Sequence, residues 1–243
     1  MKYEGRTLLI TGSNRGIGKG LVEGLLKRGV ARIYATARNI ASLPDFGDVR
    51  VIPLALDVTD QAQVDAAAAL ATDVDLLINN AGVIAYSTTL DGSMEEFRHV
   101  MEINHWGTLR MMRAFVPILE GKPGAALVNI ASITSLQAGP FHSGYSASKA
   151  AVYSITQSVR IELAKRGIAV HAVMPGPIDT DMAKELPFDV ADLGTTIEEI
   201  LDQLADDALE VLPDDFSRQM FAMWREDHWK LNAVVYDAFH GAG

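Results

Sequence analysis

The apolar run Arg6-Thr-Leu-Leu-Ile10 leads directly into Thr11-Gly-Ser-Asn-Arg-Gly-Ile-Gly18, and a helical pattern of Leu21, Val22, Leu25 and Leu26 follows. This order constrains the fold more than any other feature of the chain. A short, wholly apolar run reads as a strand buried on both faces. The glycines permit positive φ and close backbone approach at the turn. The free N–H groups of the helix that follows can hold an anion such as a pyrophosphate. The spacing is G-x-x-x-G-x-G, not the commoner G-x-G-x-x-G. A glycine-rich turn without a ligand therefore stays open until the rest of the chain is read.

The alternation continues. Strands are expected at Arg32 to Thr36, Val49 to Leu56, Asp75 to Ile78, Ala125 to Ile130 and Ala169 to Val173. Helices are expected near 60–71, over 94–119 with room for one break, around Tyr145, and from Ile197 through Ile200, Leu201, Leu204, Ala208 and Leu212. Thr195 with Glu198, or Thr196 with Glu199, offers a capping box for that last helix. Strands alternating with helices predict a Rossmann-type, doubly wound α/β fold, with a mainly parallel sheet and helices on both faces. No linker or repeat divides the chain, so residues 1–243 read as a single dinucleotide-binding catalytic domain. Within it a substrate loop is expected at about 177–196 and a helical tail at about 197–243.

Composition removes several classes of function. The chain has 243 residues, 49% of them hydrophobic, enough for a large core. It has no cysteine, which excludes disulfides, thiolate metal sites and a cysteine nucleophile. Its six histidines show no paired ligand spacing, so no metal is expected. A net charge of −10 argues against nucleic-acid or membrane partners. The N-terminus shows no signal peptide and no apolar stretch reaches membrane-spanning length, so a cytoplasmic location is expected.

Tyr145-Ser-Ala-Ser-Lys149 places a phenol and an amine on one helical face. An ammonium ~4 Å from a phenolate gains roughly 4 kcal/mol at an effective dielectric of ~20. That predicts a Tyr145 acidity near neutral pH, suited to proton transfer. At the end of the second strand, a carboxylate would bind a ribose 2′-hydroxyl and an arginine a 2′-phosphate. Arg38 stands there, and Arg15 lies within the glycine loop. Two arginines and no acid favour NADP(H) over NAD(H).

Taken together, the glycine loop, Asp57-Val58, Asn79-Asn-Ala-Gly82, Asn104, Ser132, Tyr145, Lys149 and Pro175-Gly-Pro-Ile-Asp-Thr180 resemble the short-chain dehydrogenase/reductase family over about residues 6 to 182. The resemblance implies roles at the matching positions. Gly12, Asn14, Arg15, Gly16, Ile17 and Gly18 would form the phosphate cradle. Asp57 would bond the adenine amino group, with Val58 supplying backbone. Asn80, Ala81 and Gly82 would shape the ribose side. Pro175, Gly176, Ile178 and Thr180 would flank the nicotinamide. Asn104, Ser132, Tyr145 and Lys149 would form the catalytic group. Tyr145 would exchange the proton, and Ser132 would bond the same oxygen. Lys149 would tune Tyr145 and bind the ribose. Asn104 would hold a water linking Lys149 to solvent.

Substrate contacts are expected from Ser132, Thr134, Leu136, Phe141, His142, Met182, Leu186 and Phe188, a mostly apolar set suited to a hydrophobic ketone or secondary alcohol. His142 is read as a pocket border rather than a second acid, and His105 as a local packing or capping residue. Leu209 to Pro213 is either the last strand or the end of the preceding helix. The tail beyond it carries Met220, Phe221, Trp224, Trp229 and Tyr236. Core or subunit packing is its expected role, with a cap over the pocket as the alternative. The leading expectation is an NADPH-dependent carbonyl reductase, reversible as an alcohol dehydrogenase, acting on a small molecule as a homodimer or homotetramer. A 3-oxoacyl-thioester reductase and a non-catalytic NADPH-binding sensor are the alternatives.

Overall fold

The computed structural model describes residues 1–184 and 189–241, apart from the side chains at 238 and 239. Its seven strands are β1 (Thr7–Ile10), β2 (Arg32–Ala37), β3 (Val51–Ala55), β4 (Leu76–Asn79), β5 (Ala126–Ile130), β6 (Ala169–Val173) and β7 (Glu210–Val211). They form one sheet in the order β3-β2-β1-β4-β5-β6-β7, and every neighbouring pair is parallel. The chain belongs to the doubly wound α/β class. Leu209 to Pro213 thus supplies the last strand. The third strand is shorter than expected, and it lies at the sheet edge. Pro53, which has no N–H to donate, is tolerated there.

Side chains alternate between the two faces of the sheet. Leu8, Ile10, Leu76, Ile78, Ala126 and Val128 enter one apolar core, with Leu21, Val22 and Leu25 of α1 (Gly16–Lys27) and Ile197, Ile200, Leu201 and Leu204 of α6 (Leu193–Ala205). Leu9, Leu77, Leu127 and Val170 enter the other. There they meet Val64 of α2 (Gln61–Leu70), Met111 and Phe115 of α4 (Thr108–Leu119), and Leu163 of α5 (Ser143–Leu163). Both faces are covered, which is why the central strands are mostly apolar.

Gly20 and Gly24 let α1 lie close on α6. A Cβ at either would stand 2.7 Å from Ile197 or Leu201. Helix α6 begins four residues before Ile197. Asp192 caps it, accepting from Thr195 N at 2.7 Å and Thr195 Oγ1 at 2.9 Å. The expected boxes from Thr195 and Thr196 are therefore not the cap: both threonines already lie within the first turn of the helix that Asp192 caps.

The long helix divides as α3 (Met94–Met101), a π-helical stretch at Glu102–Gly107, and α4. Helix α7 (Asp215–His240) opens with a capping box between Asp214 and Ser217 and bends at Asp227. Among the described residues no helix is long and apolar enough to cross a membrane, and no three or more potential metal ligands gather.

Candidate active site

Parallel strands deliver their carboxyl ends to one edge. Here β1, β4, β5 and β6 are neighbours, so the segments after them meet: Thr11 to Gly18, Asn80 to Gly82, Ser132, and Pro175 to Thr180. Ligands bind at such an edge where the strand order reverses, here between β1 and β4. A cavity of about 510 Å³ lies there.

The glycine loop is built for close approach. Gly12 has φ +67°, and a Cβ on it would lie 2.9 Å from Ala81 Cα. Gly16, at φ +52°, starts α1. Gly12, Asn14, Arg15, Gly16 and Ile17 line the cavity, with the N-terminus of α1 among them. Gly18 does not line it. A Cβ there would stand 2.1 Å from Gly12 O, so Gly18 serves the packing of the loop on itself. Asn80 fixes the loop from β4. Its Nδ2 donates to Thr11 O and Gly12 O, both at 2.9 Å. Thr11 Oγ1 in turn accepts from Asn80 N and Ala81 N at 2.9 Å.

This cradle fits a dinucleotide. Arg38 is exposed beside it, and Arg15 shares its charge with Asp181 at 3.5 Å. Asp57 lines the same cavity. Its Oδ1 accepts from Thr59 N at 2.9 Å and Thr59 Oγ1 at 2.8 Å, which orients the carboxylate. Val58, Ala81, Gly82, Pro175, Gly176, Ile178 and Thr180 also line the cavity.

Ser132, Tyr145 and Lys149 line that same cavity. Ser132 Oγ accepts from Thr134 Oγ1 at 3.0 Å. Lys149 Nζ donates to Ile130 O at 2.7 Å and lies 5.7 Å from the Tyr145 ring centroid. Burial holds the Lys149 pKa down to about 8. Burial also pushes Tyr145 up to about 12, against a hydrogen bond with Ser132 that lowers it. This corrects the expectation of a Tyr145 brought near neutral by its lysine. In the protein without cofactor, desolvation of the phenol is the larger effect, and Lys149 is directed to a carbonyl.

Asn104 does not reach the cavity surface. It lies in the π-helical stretch, with its Oδ1 accepting from Val83 N at 2.8 Å. Its Nδ2 donates to Val83 O at 2.9 Å and Ser148 Oγ at 2.8 Å. The side chain ties the segment after β4 to the Tyr145 helix. Behind it runs a second buried amide chain. Asn79 Nδ2 donates to Asn129 Oδ1 at 2.8 Å, and Asn129 Nδ2 donates to Thr156 Oγ1 at 2.9 Å.

Of the expected substrate contacts, Thr134, His142 and Met182 line the cavity. Leu136 does not; it packs on Ala131, Val152 and Met174. Phe141 is exposed and borders a small neighbouring hollow with Tyr86. Leu186 and Phe188 lie outside the described residues. His142 Nδ1 is 3.0 Å from Ser146 Oγ. His105 is buried edge-on to Trp106, so it packs locally.

The tail meets both the core and the site. Phe221 does pack in the core, but Phe216, Met220, Val234 and Val235 line the cavity. The i, i+4 spacing of Phe216 and Met220 was visible as one helical face. Its direction was not.

The model of the family described as short chain dehydrogenase matches residues 6–190. A 3-oxoacyl-acyl-carrier-protein reductase of Vibrio cholerae is 33% identical over 193 residues, covering 76% of this chain and 79% of the relative. A sorbitol dehydrogenase of Cereibacter sphaeroides is 36% identical over 188 residues, covering 74% and 73%. The crystal structure of a short chain dehydrogenase from Burkholderia cenocepacia in complex with NADP matches with a TM-score of 0.93 and 38% identity, covering 97% of this chain and 99% of that one. The chain belongs to the short-chain dehydrogenase/reductase family. It is an oxidoreductase with a nucleotide-cofactor site and a small-molecule substrate.

Proposed function

We propose that the chain is an NADPH-dependent reductase of a hydrophobic ketone or aldehyde, working in reverse as an alcohol dehydrogenase. The observation that carries this reading is that Ser132, Tyr145 and Lys149 line one cavity with the glycine loop. We read residues 1–243 as one catalytic unit, cytoplasmic, and a homodimer or homotetramer.

A dinucleotide held at this site would supply the hydride. The remaining work falls to the chain. The N-terminus of α1 and the backbone from Gly12 to Gly16 hold the pyrophosphate. Arg38, and Arg15 once exchanged from Asp181, hold a 2′-phosphate. Asp57 accepts from the adenine amino group. Asn80 to Gly82, with Lys149, hold the ribose, and Ile178 and Thr180 hold the carboxamide. Ser132 Oγ donates to the substrate oxygen. The Tyr145 phenol gives that oxygen its proton and takes it back in oxidation.

A second reading, 3-oxoacyl-thioester reduction, is supported by the Vibrio cholerae relative. A panel of alkyl ketones, aryl ketones, sugars and acyl thioesters, followed by NADPH consumption, separates the two. Turnover of ketones is expected, with Tyr145→Phe losing roughly 10²–10⁴-fold in kcat/KM while still binding NADPH. NADPH binding without turnover of any carbonyl would instead establish a sensor.

A further inference from the structure

Helix α7 changes direction once. Asp227 stands at the bend with φ −160° and ψ 100°. Its Oδ1 accepts from Trp229 N at 3.0 Å and Lys230 N at 3.4 Å. The second half of the helix therefore has its own N-cap, as a separate helix would. The bend is a built turn.

Two contacts seat that second half. Leu231 is fully buried. Asn232 Oδ1 accepts from Gln137 Nε2 at 3.2 Å, and Gln137 belongs to the wall that follows Ser132. A helix rises ~1.5 Å per residue, so Val234 and Val235 lie within one turn of that anchor. Both line the cavity, with Phe216 and Met220 from the first half. Phe216 is held against the loop after β6, because a Cβ on Gly176 would meet its ring at 2.9 Å.

The chemistry of the lining is divided. Arg15, Arg38 and Asp57 serve the nucleotide end, and Lys149 the reacting centre. Every tail residue that reaches the cavity is apolar. Val234 is still 49% exposed. Because Val234 also lines the cavity, an apolar ligand seated against it would cover part of that surface.

We propose that the tail is the specificity wall of the substrate half, with Met220, Val234 and Val235 selecting a carbonyl that carries a bulky apolar substituent. The inference rests on the carbonyl-reductase reading. Sugars and small polar ketones would leave the two valines wet, whereas an aryl or branched alkyl group would desolvate them. A single methylene in such a pocket shifts selectivity by roughly 10–200-fold.

Two variants test this in the full chain with NADPH. Val235→Asp puts a charge in the wall, and Val235 is not fully buried, so the fold tolerates it. Met220→Trp fills the wall without a charge. The ratio of kcat/KM for acetophenone to that for 2-butanone is expected to fall at least tenfold in both. A smaller change in both overturns the proposal. Titration with the neutral fluorescent probe N-phenyl-1-naphthylamine needs no turnover. Its Kd is expected to weaken at least tenfold in Val235→Asp, and a smaller shift overturns the wall even if no ketone is reduced. Weakened probe binding, in a parent protein that reduces nothing, sinks the carbonyl reading and leaves the wall standing.

Discussion

The Lys149 ammonium donates to the Ile130 carbonyl at 2.7 Å while standing 5.7 Å from the centre of the Tyr145 ring. The strand thus holds the lysine at the distance of a cation over an aromatic face. The cation is nevertheless buried, and this has a measurable cost. The folded protein releases the Lys149 proton near pH 8, whereas the unfolded chain keeps it to about 10.5. Between those values the unfolded state binds more protons, so stability rises with pH. The urea midpoint of the cofactor-free protein is expected to increase from pH 8 to pH 10. Lys149→Met should abolish that increase. An identical slope in the variant would mean that Lys149 is not the group responsible.

In the proposed function Arg38 distinguishes the two nucleotides by binding a 2′-phosphate. A charge-assisted bond to a phosphate contributes about 1.5–3 kcal/mol, and 1.4 kcal/mol is tenfold in affinity. Arg38→Asp should therefore weaken NADPH by about 10–100-fold and leave NADH unchanged or tighter. Fluorescence titration with both nucleotides checks this. Unchanged preference would remove Arg38 from the 2′-phosphate site.

Gly18 has no room for a methyl group. A Cβ would sit 2.1 Å from the Gly12 carbonyl oxygen and 2.4 Å from Asn80 Nδ2. Gly18→Ala must push the glycine loop away from β4, at a cost of about 1–3 kcal/mol for overpacking. Chemical denaturation should show that loss together with weakened nucleotide binding.

Asn129 is the middle of a buried chain from Asn79 to Thr156. Asn79 Oδ1 already has no partner among the described residues. Asn129→Ala would strand Asn79 Nδ2 as well, costing about 1–3 kcal/mol. Asn129→Leu keeps most of the volume without the amide, so it separates the lost hydrogen bond from the lost volume. A midpoint unchanged in Asn129→Ala would show that solvent fills the gap.

The sheet and the glycine loop were legible because they rest on local rules. Arg6 to Gly18 reads as strand, turn and helix without reference to any other segment. The position of Ser132 at the end of β5 follows from strand direction alone. Where a side chain points across the fold is another matter. Tyr145 and Lys149 share a helical face, yet that spacing says nothing of the Ile130 carbonyl or of how deeply both are buried. Leu136 and Met220 are similar apolar side chains, and only the path of the chain sends one to the core and the other to the cavity. The bend at Asp227 has no proline or glycine in Glu226-Asp-His-Trp229 to announce it. At Asp192, by contrast, the cap was readable: Asp192-x-x-Thr195 is as good a signal as the pairs preferred to it.

The π-helical stretch at Glu102–Gly107 makes the site unusually sensitive to chain length. Asn104 meets Val83 and Ser148 because the helix is overfull at that point. Removing one residue between 102 and 107 would let an ordinary α-helix close, turning everything on one side of the gap by about 100° relative to the other. The tie between the β4 segment and the Tyr145 helix would then be lost with no change at any residue that forms it. For this chain a one-residue deletion in that stretch, conservative in composition, is a more thorough lesion than many substitutions in the cavity itself.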